Sequence, residues 1–344
     1  MDVLHLVGSC VSDFYFNLSV IYAKGVVQPK GIKSYYAVVN PDNLWQLGAS
    51  LDSLSKKISL QDMISGLPKV DLVVPHMFCF PGMTVFRAFF EDMLGLPLVG
   101  SSAQCTTLAT NKSHTKSIVA EAGVTVAKAQ QIRKGDTNKV TMELPFIVKP
   151  TSEDNSNGMT FVQHEKDIKK ALQTGFEFDD VLLIEDYIPG RELRVAVIER
   201  DGTLYVPSMI EYLCTSAHPV RTVHDKLELK SNGMPGKQPD NPQVKSICPA
   251  VVESKLFNHI ATAAKLCHMA LGCRDYSLYD FRVHSDTNEP YLLEAGLFWS
   301  FSKISMISKM LLASGENLED LVLKLWSTAA GRKRIACGAL FKHL

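Results

Sequence analysis

The segment from residue 275 to residue 296 reads as two short strands joined by a polar turn. Apolar and polar residues alternate in its first half, which is the period of a half-buried strand. Residues 285–288 form the turn, and a second apolar strand leads into Glu294. Such a hairpin would aim Asp280 and Glu294 into one space. Two carboxylates of this kind suit Mg²⁺ that is held between a protein and substrate phosphates.

Beyond residue 105 the sequence predicts a helix at 110–122 and a hairpin about residues 201–202. The first 105 residues or so alternate strand signals with helix signals, among them a helix at 84–94 and a short strand at 96–99. That alternation is typical of a parallel α/β sheet with helices packed on its faces. Ligands of such sheets bind beyond the carboxyl ends of the strands. The pattern therefore places residues 9–13, 76–82 and 100–102 around one crevice, with His76 at its mouth.

Length and composition limit the remaining choices. A chain of 344 residues is too long for one ordinary core, so two or three domains are expected. The 36 basic and 36 acidic residues balance, which argues against a nucleic-acid partner. No apolar run approaches the roughly 18 residues that span a bilayer, and the N-terminus lacks the basic leader of a signal peptide. Eight scattered cysteines without a CxxC pair predict reduced thiols and a cytoplasmic protein.

Lys149 occupies an unusual place near the end of the apolar strand 145–150. It either snorkels at a sheet edge or faces a ligand. The loop at 151–158 that follows is rich in small residues, and its backbone N–H groups can fold over a phosphate chain. No GxxxxGK[ST] motif is present, so the loop is not a P-loop.

Four further acidic and basic positions resemble parts of a nucleotide site. Glu185 and Glu192 flank the sequence Tyr-Ile-Pro-Gly, where the chain crosses between two subdomains. Backbone groups of this crossing could bond to the edge of an adenine, and a carboxylate could accept hydrogen bonds from ribose hydroxyls. The alternative is that both glutamates are solvated. Lys112 starts a helix, where a cation is unfavourable unless an anion binds there too. Lys226 lies in a polar stretch at 214–247 that is long enough for a lid, and it either closes over phosphates or is solvated.

In this order, these features resemble the ATP-grasp ligases, and within them the D-alanine–D-alanine ligase family, over residues 1 to 328. The matching motifs are 76-HMFCFPGMTVFRAFFE-91, 96-LPLVGSSAQCTTLATNK-112, 145-PFIVKP-150, 185-EDYIPGRE-192 and 291-YLLEAG-296. The resemblance implies an α/β ATP-grasp fold, in which a parallel α/β domain precedes two α+β subdomains that grip ATP. The implied divisions are 1–105, 106–186, 187–330 and a basic, solvated tail at 331–344.

The resemblance also implies a role for individual residues. The implied ATP-binding residues are Lys112, Lys149, Ser156, Gly158, Glu185, Tyr187, Ile188, Glu192 and Lys226. The implied Mg²⁺ ligands are Asp280 and Glu294, the implied substrate-binding residues are Asp13, His76 and Ser305, and the implied catalytic residues are Lys149, Arg282 and Lys226. The cofactors would be ATP and Mg²⁺, and the partners a small amino acid and an acceptor substrate. Related ligases suggest a homodimer.

The chain departs from the family pattern at three places. Leu278 stands where the family has an arginine two residues before the metal Asp280, and Arg282 on the same strand face could partly replace it. Gly296 stands where the family has a metal-binding asparagine, which puts a second Mg²⁺ in doubt. The substrate-binding glutamate has no clear match, and Asp13 is the nearest acid.

A narrower resemblance connects four segments with the ligases of mycosporine-like amino acid biosynthesis. These segments are 5-HLVGSCVSDFYFNLS-19, 76-HMFCFPGMT-84, 268-HMALGCRDYSLYDFR-282 and 294-EAGLFWSF-301. It implies that ATP activates a ring oxygen of mycosporine-glycine and that an amino acid displaces it to give an imine. Two alternatives stay open, a D-alanine–D-alanine dipeptide ligase and a regulatory protein that binds ATP without catalysis.

Overall fold

The computed structural model describes residues 1–136, 140–226, 242–297 and 300–332. The strands are β1 (Asp2–Gly8), β2 (Lys33–Val39), β3 (Trp45–Gly48), β4 (Leu72–Pro75), β5 (Ala129–Arg133), β6 (Phe146–Pro150), β7 (Thr160–Val162), β8 (Val181–Asp186), β9 (Gly190–Arg200), β10 (Thr203–Tyr205), β11 (Ile210–Tyr212), β12 (Ser246–Ile247), β13 (Tyr276–His284) and β14 (Pro290–Gly296). The α-helices are α1 (Asp13–Lys24), α2 (Leu60–Gly66), α3 (Phe80–Met83), α4 (Val85–Ala88), α5 (Ala103–Thr110), α6 (Lys112–Glu121), α7 (Ile168–Gly175), α8 (Val223–Lys226), α9 (Ser254–Ala270), α10 (Met306–Ala313) and α11 (Leu318–Ala330). Within these described ranges, no helix combines the length and apolar character that a membrane span needs.

The N-terminal sheet has the order β3-β2-β1-β4. β1 pairs in parallel with β2 and β4, as the alternating pattern predicts, and β3 adds an antiparallel edge strand. The strand predicted at 96–99 forms only one bridge, between Val73 and Leu98. The helix predicted at 84–94 is instead α4 followed by a π-helical turn at Phe89–Met93.

The helix predicted at 110–122 is α6, which begins at Lys112 after the N-cap residue Asn111. This residue has extended backbone angles, and its side chain accepts hydrogen bonds from the N–H groups of Ser113 and His114. A capping asparagine therefore ends α5 and begins α6 at Lys112.

Two antiparallel sheets form the rest of the fold. The first has the order β5-β8-β6-β7, and the second has the order β12-β11-β9-β13-β14, with β10 paired to β9. The predicted hairpins about residues 201–202 and 285–288 are both confirmed. In the second hairpin Asp280 lies directly opposite Glu294, and a bulge follows Asp280.

The two faces of β9 and β13 differ because side chains alternate along a strand. One face is mainly apolar and packs in a core with α9, through residues such as Val195 and Phe281. The other face begins in a core that it shares with the N-terminal sheet, α10 and α11, and this core includes Leu278. Two residues further along the same face lies Asp280, and then Arg282. This face of the sheet thus changes from apolar to polar at Asp280, where the site begins. The predicted domain divisions at 105 and 186 stay predictions.

Candidate active site

A cleft of about 730 Å³, its open mouth included, contains most of the residues that the sequence singles out. The predicted residues that line it are Lys112, Lys149, Ser156, Glu185, Tyr187, Ile188, Glu192, Asp280, Arg282 and Glu294. They come from α6, the β5-β8-β6-β7 sheet, the crossing after β8, and the polar face of β9, β13 and β14. The cleft therefore gathers elements that are far apart in the sequence.

At one end of the cleft, Glu185 holds two lysines. Its carboxylate is buried and pairs with the ammonium group of Lys149 and, at 2.9 Å, with that of Lys116. Burial raises the pKa of Glu185, but the two lysines outweigh burial and hold this pKa below its ordinary value. Burial lowers the pKa of Lys116 to about 8. Two cations and one carboxylate leave one positive charge in a buried place, which favours an anionic ligand.

The loop at 151–158 is fixed at both ends. Thr151 and Ser152 donate to the Asp179 carboxylate, at 2.8 Å from the Thr151 hydroxyl and 2.9 Å from the Ser152 backbone N–H. Further along, the Ser156 hydroxyl donates to the backbone oxygen of Arg221 at 3.1 Å. The Lys112 ammonium group donates to the backbone oxygen of Glu153. The loop thus borders the cleft beside both predicted phosphate lysines.

Arg282 organises the middle of the cleft. Its guanidinium group donates to the backbone oxygens of Ile188 and Pro219 at 3.0 and 2.6 Å, and to the Tyr187 hydroxyl at 3.0 Å. It also pairs with Glu192 at 3.0 Å. This arrangement ties the crossing after β8 to the sheet. Arg282 does not bond to Asp280 among the described contacts, and its predicted catalytic role stays a prediction.

Asp280 lies between two other arginines. Arg194 on β9 is its cross-strand partner and donates to both carboxylate oxygens at 2.6 Å. Arg221 bonds to Asp280 at 3.0 Å and to Glu192 at 2.5 Å. Burial raises the pKa of Asp280, but these guanidinium groups outweigh burial and hold it below its ordinary value. Asp280 is therefore an ionised, oriented carboxylate.

The carboxylates of Asp280 and Glu294 are the metal ligands that the sequence predicts. They face each other across β13 and β14 and line the same cleft. No group of three His, Cys, Asp or Glu side chains in the described part of the chain could hold a metal ion. Two hard oxygen donors fit Mg²⁺ that also binds substrate phosphates. Arg194 and Arg221 would have to leave one oxygen of Asp280 to the metal.

The remaining predicted residues lie elsewhere. Gly158 is in the loop but is not part of the cleft lining, and Asp13 is exposed at the start of α1. His76 and Ser305 are fully buried outside the lining: His76 contacts His5, and the Ser305 hydroxyl caps α10. The side chain of Lys226 and residues 227–241 of the presumed lid lie outside the described residues.

Sequence reasoning missed three cations, namely Lys116, Arg194 and Arg221. Two of them carried a signal. Lys116 follows Lys112 by four residues, the spacing that puts side chains on one helix face, and Arg194 interrupts an apolar strand two residues after Glu192. Arg221 lies in an irregular segment, where no periodic pattern identifies it.

Comparisons with known proteins agree with this geometry. The family model described as "D-ala D-ala ligase C-terminus" matches residues 118–327, which is more than half of the chain. The D-alanine–D-alanine ligase of Geobacter sulfurreducens is 30% identical over 242 residues, which cover 69% of this chain and 71% of that protein. The D-alanine–D-alanine ligase of Geotalea uraniireducens is 28% identical over 242 residues, 70% of this chain and 72% of that protein.

Solved structures show the same fold. The D-alanine–D-alanine ligase of Coxiella burnetii has a TM-score of 0.76 at 18% identity, covering 96% of this chain and 94% of that one. A D-Ala:D-Ser ligase of Enterococcus faecalis has a TM-score of 0.78 at 20% identity, covering 95% of this chain and 99% of that one.

This chain belongs to the D-alanine–D-alanine ligase family of ATP-grasp enzymes. It is thus a carbon–nitrogen bond-forming ligase that uses ATP and Mg²⁺ and releases ADP and phosphate, which confirms the predicted fold, enzyme class and cofactors. The narrower mycosporine resemblance has no counterpart among these relatives.

Proposed function

We propose that this enzyme is a dipeptide ligase, which joins the amine of one small amino acid to the ATP-activated carboxylate of another. D-alanine is the first substrate to test, because the relatives above are named as D-alanine–D-alanine ligases. The observation that carries the proposal is the arrangement of charge in the cleft. Lys116 and Lys149 pair with Glu185, and the carboxylates of Asp280 and Glu294 line the same cleft opposite each other on β13 and β14.

The proposed nucleotide contacts follow from this arrangement. Lys112 and Lys149 would hold phosphates beneath the loop that contains Ser156 and Gly158. The adenine would lie against the crossing at Tyr187 and Ile188, and Glu192 would take the ribose hydroxyls. Glu185, which the resemblance assigns to adenine, supports the site through Lys149 and Lys116. Lys226 is proposed to close from the lid.

The metal would be held by Asp280 and Glu294. Together ATP and Mg²⁺ supply the activation of the acceptor oxygen and the neutralisation of its charge. The chain's own residues hold and orient: Arg194 fixes Asp280 in one orientation, and Lys149 pairs with Glu185 in the same cleft. Exclusion of water by the loop would keep ATP from hydrolysis.

Arg194 also bears on position 278, where this chain has a leucine in place of the arginine of the family pattern. Leu278 is buried in the apolar core, so that position offers no cation to the cleft. Arg194 lies one strand away, directly opposite Asp280, and brings a guanidinium group to the same carboxylate. Arg282 is engaged with Glu192 and the crossing instead. A guanidinium at this end of the cleft supports chemistry through an acyl phosphate.

A second candidate is ligation of an amino acid to mycosporine-glycine. Two observations favour it: Leu278 replaces an arginine of the family pattern, and Gly296 replaces a metal-binding asparagine. An imine-forming reaction passes through no acyl phosphate and has less need of that arginine. The regulatory alternative, ATP binding without catalysis, is the third outcome that the experiment must separate.

Product mass after incubation with ATP and Mg²⁺ separates these candidates. D-alanine alone should give D-alanyl-D-alanine; mycosporine-glycine plus L-amino acids would instead give an imine if the second candidate is correct. ADP formation should require the amine. ATP binding without any product would support the regulatory alternative and contradict both ligase proposals.

Variants at both ends of the cleft test the proposed residues. Lys149→Met and Glu294→Gln should each lower turnover at least 100-fold, because charge stabilisation at the reacting atoms of an enzyme is worth this much or more. Lys57→Met removes a lysine from an exposed ion pair with Asp42 and serves as the control. Circular dichroism checks that each variant is folded. Normal turnover in either cleft variant would contradict the assignment. The cytoplasmic location and the homodimer stay predictions.

A further inference from the structure

Arg221 connects two carboxylates that belong to different strands. Its Nε donates to Oε1 of Glu192 on β9 at 2.5 Å, and one of its terminal nitrogens donates to Oδ2 of Asp280 on β13 at 3.0 Å. All three side chains are buried, and all three residues line the cleft. The guanidinium group therefore lies between the carboxylate that is proposed to take ribose hydroxyls and one that is proposed to hold Mg²⁺.

Each of these carboxylates also has an arginine of its own. Glu192 pairs with Arg282 at 3.0 Å, and Asp280 pairs with Arg194, which donates to both of its oxygens at 2.6 Å. Breaking a buried ion pair is strongly unfavourable when it leaves a charge without a partner. Release of Arg221 leaves neither carboxylate in that state, so Arg221 is the shared cation that both carboxylates can release together.

The backbone around Arg221 is held by hydrogen bonds. The backbone oxygen of Pro219 accepts from Arg282 at 2.6 Å, and the backbone oxygen of Arg221 accepts from the Ser156 hydroxyl at 3.1 Å. The guanidinium group itself stacks on the ring of Tyr212, at 3.6 Å from the ring centroid. A cation–π contact does not depend on the carboxylates. The guanidinium group can therefore change its hydrogen-bond partners while it stays on this ring.

A bound nucleotide changes the partners that are available to Arg221. When Glu192 accepts from a ribose and Asp280 holds the metal, as proposed, Arg221 loses both carboxylates. A guanidinium group that stays buried then needs another anion, because an unpaired buried charge is strongly unfavourable. Phosphates join the ribose to the metal, and a guanidinium group matches phosphate oxygens with two parallel N–H donors. A phosphate is thus the anion that replaces the two carboxylates.

We propose that Arg221 is a phosphate-binding residue that exchanges partners: it neutralises Glu192 and Asp280 in the nucleotide-free enzyme and bonds to a phosphate of the bound nucleotide. The proposal rests on the proposed function and adds an arginine to the lysines already named for the phosphates. Tyr212 is a positioning residue, because its ring holds the guanidinium group while the partners change. Arg221 consequently favours a nucleotide that has phosphates over adenosine, which returns no anion to it.

The first test compares ADP with adenosine, each by calorimetric titration of the full chain with Mg²⁺ present. Arg221→Met should weaken ADP binding roughly tenfold or more, the equivalent of one charged hydrogen bond, and should leave adenosine binding equal or tighter. Arg221→Lys keeps the charge without the two parallel donors, so its ADP affinity should fall between those of the wild type and Arg221→Met. Circular dichroism checks that each variant is folded, and Arg221→Lys carries the test if Arg221→Met does not fold.

Arg191→Met is the matched control for this comparison. Arg191 also lies on the second antiparallel sheet and pairs with Glu211 at 2.7 Å, but it is not part of the cleft lining. Its loss should change neither affinity. Equal weakening of ADP and adenosine in Arg221→Met would show a structural role and overturn the proposal. Tighter binding of both would show that Arg221 only blocks the site, and would overturn it too.

The second test follows Mn²⁺ alone by electron paramagnetic resonance, without nucleotide. Arg221→Met should bind Mn²⁺ roughly tenfold more tightly than the wild type, because Oδ2 of Asp280 no longer bonds to Arg221 and one nearby positive charge is gone. Arg191→Met should bind Mn²⁺ as the wild type does. Wild-type Mn²⁺ affinity in Arg221→Met would overturn the proposal, since Arg221 would then not compete with a metal for Asp280.

The outcomes separate this proposal from the proposed function. A wild type that forms D-alanyl-D-alanine, together with wild-type ADP affinity in Arg221→Met, would overturn the role of Arg221 and leave the ligase supported. A wild type that forms no dipeptide, together with weaker ADP and unchanged adenosine binding in Arg221→Met, would support the role of Arg221 and contradict the dipeptide ligase.

Discussion

The cleft and the buried histidine pair handle polar groups in opposite ways. In the cleft the carboxylates of Glu185, Glu192 and Asp280 each bond to two cationic side chains. In the N-terminal sheet His5 and His76 are neutral, and a buried nitrogen has no partner among the described residues. The first region is a network of buried ion pairs. The second is an uncharged pair that is joined by one hydrogen bond.

This difference has an energetic basis. Removing one charge from a buried pair leaves the other uncompensated, so the ligand-free cleft must carry its own counter-charges. Arg221 is the cation best suited to exchange, because it lies on an irregular segment and bridges Glu192 and Asp280. Arg194, by contrast, is fixed on β9. A neutral pair needs no counter-charge, because burying an unpaired neutral polar group is less unfavourable than burying an unpaired charge.

The largest effect is expected from Arg194→Met, which tests whether the stability of the protein depends on the ion pairs of the cleft. Asp280 would keep only Arg221, and we expect the free energy of unfolding to fall by about 3–5 kcal/mol. Arg200→Met is the matched control on the same strand. Arg200 pairs with Glu316 at the surface, so its loss should cost about 1 kcal/mol or less. Urea unfolding with a constant m-value measures both.

Equal losses in Arg194→Met and Arg200→Met would break the comparison, since pairing in the cleft would then matter no more than pairing at the surface. A second variant separates charge from packing. In Arg194→Met/Asp280→Asn the uncompensated carboxylate is gone, and most of the lost stability should return. A double variant no more stable than Arg194→Met would attribute the loss to packing instead.

The next effect concerns pH and Lys116. Burial lowers the pKa of Lys116 to about 8, from about 10.4 for a lysine in an unfolded chain. Between these values the unfolded chain binds more protons than the folded chain, so the contribution of Lys116 to stability rises with pH. Relative to Lys116→Met, wild-type stability should increase by up to about 3 kcal/mol between pH 8 and 10.4.

Urea unfolding of both proteins at several pH values in this window measures the difference. Lys128→Met, at an exposed lysine, controls for the general loss of one lysine charge. A gap between wild type and Lys116→Met that stays constant across the window would mean that Glu185 keeps Lys116 protonated. The cleft would then hold its positive charge at every pH in the window.

The sequence predicted the site better than it predicted the contacts within it. The period of two correctly placed Asp280 and Arg282 on one strand face. Lys149, in an apolar strand, lines the cleft, and its role towards a ligand stays a prediction. The partners depend on register instead: antiparallel pairing of β9 with β13 sets Arg194 opposite Asp280, and Glu192 opposite Arg282. One sequence contains no signal for that register, so Arg282 was the expected neighbour of Asp280.

The fold was predictable to a similar degree. Alternating elements predicted the parallel sheet, and the turn residues predicted both hairpins. The helix expected at 110–122 is α6, which begins two residues later because the Asn111 side chain caps the N–H groups of its first turn. Arg221 lies in an irregular segment and joins Glu192 on β9 to Asp280 on β13. Tertiary packing decides such contacts, and periodicity does not reveal them.

The smallest effect is expected from Gly158→Ala, in the loop beside the cleft. Gly158 has φ +68°, and an added Cβ would lie 2.8 Å from Pro150 and Phe178. Phe178 is exposed and can move, but Pro150 is buried in β6, so the loop itself must shift. Gly202→Ala is the control, because Gly202 has φ +74° with no atom within 4 Å of the added Cβ. Both variants should lose about 1 kcal/mol of stability from the backbone angle. Only Gly158→Ala should also weaken ATP binding, by roughly three- to tenfold in a calorimetric titration.

Unchanged ATP affinity in Gly158→Ala would mean that the loop does not cover the nucleotide, and that the paired charges of the cleft suffice to hold it.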